Sequence, residues 1–455
     1  MMMLKFSNNN KGIIYTRGVI MFLLREIREK KMRPRVQKEK EFYDKIKVNS
    51  ISELQLRKFN QLWEGIQKSV PYYKNMVDKK IAPSQISSFE NFRALPILQR
   101  SFANKHMEEL TDKSHPPDSW GTTGGSSGNP LQFPSWNSET TETEPSVWYS
   151  RDFYNIKRSD RMFRLWGHSH TLGKGFSRYK NIIKFKVGLP LIGFKRFSAY
   201  DLSDEKLKEA AEEIIKFKPK YIIGYSKALY MLAKANEDKQ EDFQRLNLKA
   251  VIGAAEGFEK EEDKEYISNV FGCPVALQYA AMETKYLAHT HPEGGYQVLW
   301  KNNLIECVDE KGNPAESGRI LVTSLYPRAF PLIRYEVGDI ITGTIKNKES
   351  VYKFGNIKGR DNDFLMIDEN TPIHSESITH AIKFSEKVTS YQIRYTKDLT
   401  YTIYLKSNFE LKNGDIQEVK ERLAQIDERL SNINIKQANN LKQTIAGKTK
   451  WLMEE

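Results

Sequence analysis

Residues 199–281 alternate between short apolar runs and amphipathic stretches, and that alternation limits the possible folds more than any other feature of the chain. Between 204 and 219, Leu207, Ala210, Ala211, Ile214 and Ile215 recur at the spacing of one helix face. Ser203 suits its cap, Asp204 and Glu205 its first turn, and Lys216, Lys218 and Pro219 its end. Tyr221-Ile222-Ile223-Gly224 is then a short buried strand, followed by a helix carrying Leu229, Leu232 and Ala233. A strand from Leu248 to Gly253, a helix over 259–270 and a strand from Pro274 to Tyr279 continue the series. Strand and helix alternating at this spacing predict a parallel sheet with helices on its faces.

The texture changes at 296. Tyr296–Trp300, Leu304–Val308 and Arg319–Ser324 are short strands joined by turns such as Lys311-Gly312-Asn313-Pro314, which predicts an antiparallel, barrel-like subdomain. After Gly359 it changes again, to a compact α+β module with strands around 390–406 and helix 415–430. The expected organisation of the 455 residues is α/β with several subdomains. A basic helical extension occupies 1–64, a large domain 65–358, and a small mobile α+β domain 359–455.

Charge is uneven along the chain. Residues 1–60 hold 15 Lys/Arg against 6 Asp/Glu, a balance of +9; residues 151–196 hold 12 against 2, a balance of +10. The whole chain stands at +13, so the remainder is acidic. Two basic zones point to an anionic partner (membrane surface, nucleotide or phosphorylated substrate) or to solvated surface. Val19 to Leu24 is too short an apolar run to span a bilayer and lacks a small-residue cleavage site. Residues 21–40 suit a basic amphipathic helix lying on an anionic surface, a helix packed on the body, or an overlong reading frame with Met21 as the true start. The expected setting is cytoplasmic, with peripheral contact to the inner face of the membrane through the N-terminus. Two cysteines are too few for a disulfide framework. The basic zones lack interleaved stacking aromatics in a recognised module, so no nucleic acid is expected as partner.

Several motifs carry chemistry. Thr122-Thr123-Gly124-Gly125-Ser126-Ser127-Gly128-Asn129-Pro130 supplies turning glycines and hydroxyl donors, which make a nest for phosphate oxygens or a plain surface loop. Gly253-Ala254-Ala255-Glu256 and Tyr279-Ala280-Ala281-Met282-Glu283 each end a strand, the place where open parallel sheets bind ligands. Tyr279 offers a face for a base, or belongs to the core. Glu283 offers a carboxylate for Mg²⁺ near phosphate, or sits on the surface. Asp339, after Gly338, is placed to accept ribose hydroxyls or to brace a turn. Gly359-Arg360-Asp361-Asn362-Asp363 stands at a texture change, as a hinge would, and Gly447-Lys448 lies near the end.

In this order and spacing the motifs resemble those of the adenylate-forming superfamily of acyl-CoA synthetases and ligases. Within it they look most like the phenylacetate–CoA ligase/CapK-like branch associated with capsular and surface polysaccharide loci. Val70-Pro71-Tyr72-Tyr73-Lys74 and Leu95-Pro96-Ile97-Leu98 agree with that branch, and the resemblance covers roughly residues 65–450. It implies that Gly125, Ser126, Ser127 and Gly128 hold the pyrophosphate of ATP, and that Ala254, Ala255 and Glu256 line adenine. By the same resemblance Tyr279, with Ala280 and Met282 in its motif, stacks on adenine, and Glu283 binds Mg²⁺. Asp339 and Arg360 then hold ribose, and Lys448 reaches the α-phosphate as the catalytic lysine. Trp166, Gly167, His168 and His170 fall where the family forms its acyl pocket.

The implied activity is that of an AMP-forming ligase using ATP and Mg²⁺. It would join a small carboxylate to a thiol, of CoA or a carrier, or to an amine. Three departures bear on ATP affinity and rate rather than on fold. Asn129 replaces a frequent lysine, Met282 a threonine, and Tyr335-Glu336-Val337-Gly338-Asp339 the usual Tyr-Arg-Thr-Gly-Asp. They leave open a competing class, the same fold kept as a non-catalytic scaffold of a polysaccharide assembly complex.

Overall fold

A computed structural model describes residues 9–123, 131–167, 188–199, 202–255, 257–258, 261–358, 364–368, 371–383, 387–396, 400–442 and 451–454. The helix expected from 204 runs Asp204–Phe217 and buries Leu207, Ala210, Ala211 and Ile214. Lys218 closes it in the left-handed region at φ 50°, its N–H still reaching the Ile214 carbonyl. Pro219 cannot continue the ladder beyond it.

Strands β1 (Ser119–Thr122) and β2 (Gln132–Ser135) form an antiparallel pair. The main sheet begins with five parallel neighbours: β3 (Met162–Trp166), β4 (Phe194–Ser198), β5 (Tyr221–Tyr225), β6 (Ala250–Ala254) and β7 (Val275–Ala281). Every residue of β5 and β6 is buried, as interior parallel strands covered on both faces must be. The sheet then turns antiparallel through β8 (Lys285–Thr290) and β9 (Tyr296–Val298).

Three longer strands leave the main sheet: β10 (Asn303–Val308), β11 (Gly318–Ser324) and β12 (Tyr335–Thr342). The next two, β13 (Ile345–Asn347) and β14 (Ser350–Phe354), return to it, giving nine strands in the order β13-β14-β9-β8-β7-β6-β5-β3-β4. With β15 (Asn356–Lys358), the strands β10, β11 and β12 form a separate four-stranded antiparallel sheet. The antiparallel region expected from 296 is thus divided between two sheets. An apolar run marks a strand without naming its neighbour.

Beyond it, β16 (Phe364–Asp368) and β17 (Thr371–His374) make a hairpin. The strands β18 (Val388–Tyr395), β19 (Tyr401–Ser407), β20 (Asn434–Gln437) and β21 (Leu452–Glu454) form a sheet in the order β20-β19-β18-β21. Helices Ser375–Lys383 and Asn413–Ala424 add Ile378 and Leu423 to a core that, among the described residues, lies between Leu365 and Leu452.

At the other end, α1 (Asn9–Lys45) and α2 (Ile51–Ser69) pack on the body. Tyr43, Phe59 and Trp63 share one core with Leu277 and Tyr335. The Tyr43 ring stacks on Tyr149 at 4.3 Å. Buried Glu39 accepts the Ser146 hydroxyl and pairs with Lys301, so the charge it brings inward is answered.

Candidate active site

The carboxyl ends of the parallel strands set out a row of predicted site residues. Trp166 ends β3 and packs on Tyr225, the last residue of β5, at 4.3 Å. Tyr225 pairs in register with Ala254, and Ala254 with Gln278, the residue before Tyr279. Three strand spacings separate Trp166 from Gln278, about 14 Å. Arg164 lies over the Trp166 ring at 4.4 Å. The sheet therefore brings Trp166, Gly167, Ala254, Ala255 and Tyr279 to one edge. Ala255 leaves that edge at φ +72°, a conformation costly for a residue with a Cβ.

Asp339 reaches the same edge through a bulge. β11 and β12 pair Leu321 with Glu336 and Arg319 with Ile340, so Val337, Gly338 and Asp339 stand opposite Ile320 alone. Gly338 takes φ +98°, open to glycine and strained for other residues. A bulge of this kind re-aims the side chain next to it. Half-buried Asp339 thereby meets Tyr279, whose hydroxyl donates to its Oδ2 at 2.8 Å. Tyr279 itself is only 9% exposed, with the edge of Phe354 against its ring at 6.3 Å. Most of its surface is core, and its hydroxyl is what it contributes to polar chemistry.

Glu283 lies in the Met282–Thr284 turn between β7 and β8. Met282 points out, at 54% exposure, while Glu283 is 1% exposed. Its Oε1 accepts from Arg100 Nη2 at 3.0 Å and from the Tyr335 hydroxyl at 3.1 Å. Its carbonyl accepts from Arg328, which in turn pairs with fully buried Glu139 at 3.3 Å. Arg100 is delivered by the segment before it: Leu98 bridges to Tyr335 and exchanges backbone hydrogen bonds with Arg334 and Glu336. Burial works against the Arg100 charge, but the Glu283 carboxylate and Tyr335 outweigh it and hold the guanidinium above its ordinary value. Burial, then the Glu283 charge, push the Tyr335 phenol up, so it stays a donor.

No family model matches the chain. It is 24% identical over 435 residues to Protein CapK of Staphylococcus aureus, covering 90% of this chain and 92% of that protein. Among solved structures it is similar to 2-hydroxyisobutyryl-CoA ligase in an open conformation with 2-HIB-AMP and CoA. The TM-score is 0.53 at 16% identity, covering 89% of this chain and 91% of the other. The same ligase in its thioesterification state gives a TM-score of 0.52, also at 16% identity, over 89% and 90% of the two chains.

The chain has the adenylate-forming ligase fold. Its sequence resemblance to CapK runs almost end to end. Of the residues singled out by sequence, the sheet brings together Trp166, Gly167, Ala254, Ala255, Tyr279 and Ala280, and the bulge adds Asp339. Met282 and Glu283 lie one turn beyond. Gly125, Ser126, Ser127, Gly128, His168, His170, Glu256, Arg360 and Lys448 lie outside the described residues. On either side of the Gly/Ser segment, the Thr123 N–H donates to the Leu131 carbonyl at 3.0 Å, and the Leu131 N–H to the Thr123 hydroxyl oxygen at 2.9 Å.

Sequence reasoning missed Arg100, Tyr335 and Arg328 as partners of Glu283. The segment carrying Arg100 directly follows Leu95-Pro96-Ile97-Leu98, which was the available signal. Glu283 supplies a carboxylate, the donor type through which a magnesium ion binds proteins while taking phosphate and water oxygens for the rest. Arg100 and Tyr335 both engage Oε1, which fixes the carboxyl plane.

Proposed function

We propose that this protein is an ATP-dependent carboxylate ligase, acting in surface or capsular polysaccharide biosynthesis in the cytoplasm. One observation carries the reading. Tyr279 and Asp339, 60 positions apart, are hydrogen-bonded at the carboxyl end of a parallel strand, with Glu283 in the next turn. The polysaccharide setting rests on the likeness to CapK alone. The use of ATP and of CoA rests on a fold shared with a ligase solved with an acyl-AMP and CoA.

In this reading Asp339, held by the Tyr279 hydroxyl, presents its other oxygen to the ribose hydroxyls. Ala254 and Ala255 border the base, and Trp166 and Gly167 border the acyl group with His168 and His170. Gly125, Ser126, Ser127 and Gly128 receive the pyrophosphate. A carboxylate oxygen of the substrate bonds to the α-phosphorus as diphosphate departs. Lys448 lies against the charge gathering at phosphorus, which is where preorganised charge lowers a barrier most. Glu283 would hold Mg²⁺, which screens phosphate charge. Turning of the small domain about Arg360 then clears Lys448, and a thiol or amine attacks the acyl carbon and releases AMP.

One observation favours the scaffold reading. The Glu283 oxygen is already answered by Arg100 and Tyr335, as a purely structural carboxylate would be. Carboxylate-dependent exchange of pyrophosphate into ATP decides between the two, over a panel of aryl, short-chain and amino acids, with Lys448→Ala and Asp339→Ala alongside. Exchange with one class of acid, lost in both variants, is the expected result. No exchange and no binding of ATP would establish the scaffold.

A further inference from the structure

The turn that carries Glu283 is followed by a cation with no role in the reading above. Lys285 opens β8 and pairs in register with Ala281, the last residue of β7. It therefore stands at the carboxyl edge of the main sheet, two positions after Glu283. Its backbone takes φ +61°, in the left-handed region, and its carbonyl accepts from the Thr284 hydroxyl at 3.3 Å. A residue with a Cβ stays in that region only where its surroundings fix it, and such strain gathers at binding and catalytic sites. Here the surroundings are the turn itself. Glu283 and Thr284 are both buried, and Arg328 holds the Glu283 carbonyl.

The other charged groups around this turn are matched. Arg100 pairs with Glu283, and Arg328 with Glu139. Lys285 is half-buried, and no carboxylate among the described residues forms an ion pair with it. Burial, then the neighbouring Arg328, work against its charge, while Glu139 supports it from farther off. A lysine on open surface swings into water and bears neither cost. An anion at the Lys285 ammonium would relieve both. Space for one is on the same edge. Ala280 and Ala281, which precede the turn, are half-buried and carry only methyl groups, and Met282 points outward.

We propose that Lys285 is a further binding residue of this site, its ammonium taking a phosphate oxygen of the nucleotide. The inference rests on the ligase reading, in which Glu283 would hold Mg²⁺ near phosphate. The acid's carboxylate is the other anion in that reaction. The phosphate is the better match, because Lys285 and Glu283 leave the same short turn and a lysine serves phosphate as a compact point charge.

The test is calorimetric titration of the full chain with ATP in the presence of Mg²⁺, and separately with adenosine, which carries no phosphate. Lys285→Asn removes the charge with a residue that tolerates the left-handed region, so the melting temperature should hold. Its affinity for ATP should fall roughly tenfold, the scale of one charge-assisted hydrogen bond, and its affinity for adenosine should not change. Lys285→Arg should restore most of the affinity for ATP, which a purely structural side chain would not do. If the asparagine variant unfolds, Lys285→Met, which keeps the side chain's length, decides in its place. Unchanged ATP binding in the uncharged variant overturns this inference and leaves the ligase reading standing. So does an equal loss for adenosine. A raised KM for the acid with ATP binding intact would assign the ammonium to the carboxylate instead. A wild-type chain that binds no ATP overturns both readings together.

Discussion

Two buried arginine–glutamate pairs flank the start of β12, and they are built differently. Arg334 meets Glu306 with both forks, Nε to Oε2 at 3.0 Å and Nη2 to Oε1 at 3.1 Å. It also donates to the Leu95 carbonyl at 2.7 Å and to that of Arg93. The Arg334 and Glu306 side chains are 4% and 5% exposed. Arg100 touches Glu283 through a single oxygen, and its side chain stays 20% exposed. Arg334 stands just before β12 in the left-handed region at φ 49°, and Tyr335 opens the strand. The Arg334–Glu306 pair is saturated and serves the scaffold. The Arg100–Glu283 pair is part-open beside the strand ends, where a ligand can still change it.

The largest effect should come from breaking the saturated pair. Glu306→Ala leaves the Arg334 charge buried without its bidentate partner, and should cost about 3–5 kcal/mol in urea unfolding. Burial pushes the Glu306 carboxyl up while Arg334 pulls it down, so the pair itself stabilises little over an apolar replacement. A Glu306→Met/Arg334→Met double variant should therefore recover much of that loss. A double variant as unstable as the single would show that the pair contributes net stability.

The part-open pair should behave the other way. Glu283→Gln keeps the shape and an acceptor for Tyr335, and should cost about 1 kcal/mol of stability. Pyrophosphate exchange should fall by roughly a hundredfold, the scale seen when one group stabilising transition-state charge is lost. Unchanged exchange together with a stability loss like that of Glu306→Ala would erase the distinction between the pairs.

The same contrast shows what was legible in the sequence. The stripe Leu207, Ala210, Ala211 and Ile214 announced its helix, because helical spacing is local. Tyr279, Glu283 and Asp339 stood out because each closes or follows an apolar run beside a turn. Arg100 could not be paired with Glu283, since 183 positions separate them and neither neighbourhood carries a trace of the other. Nor could Tyr335 be assigned, although it sits in the motif that marked Asp339. Which face of β12 it takes depends on a register that only the partner strands settle.

The bulge offers the finest test of that register. Gly338 at φ +98° lets three residues of β12 face one of β11, which turns Asp339 onto Tyr279. Gly338→Ala puts a Cβ where the backbone disfavours one, at a cost of about 1–2 kcal/mol. Part of that strain relaxes by flattening the bulge, which withdraws Asp339 from the Tyr279 hydroxyl. About 1 kcal/mol lost at the ribose position corresponds to roughly a fivefold rise in the KM for ATP, with kcat little changed. Asp339→Asn should raise KM by a similar factor without the stability loss, since it keeps an acceptor but removes the charge. A Gly338→Ala enzyme with normal KM would mean that the glycine serves only the chain reversal, and that Asp339 finds Tyr279 by packing alone.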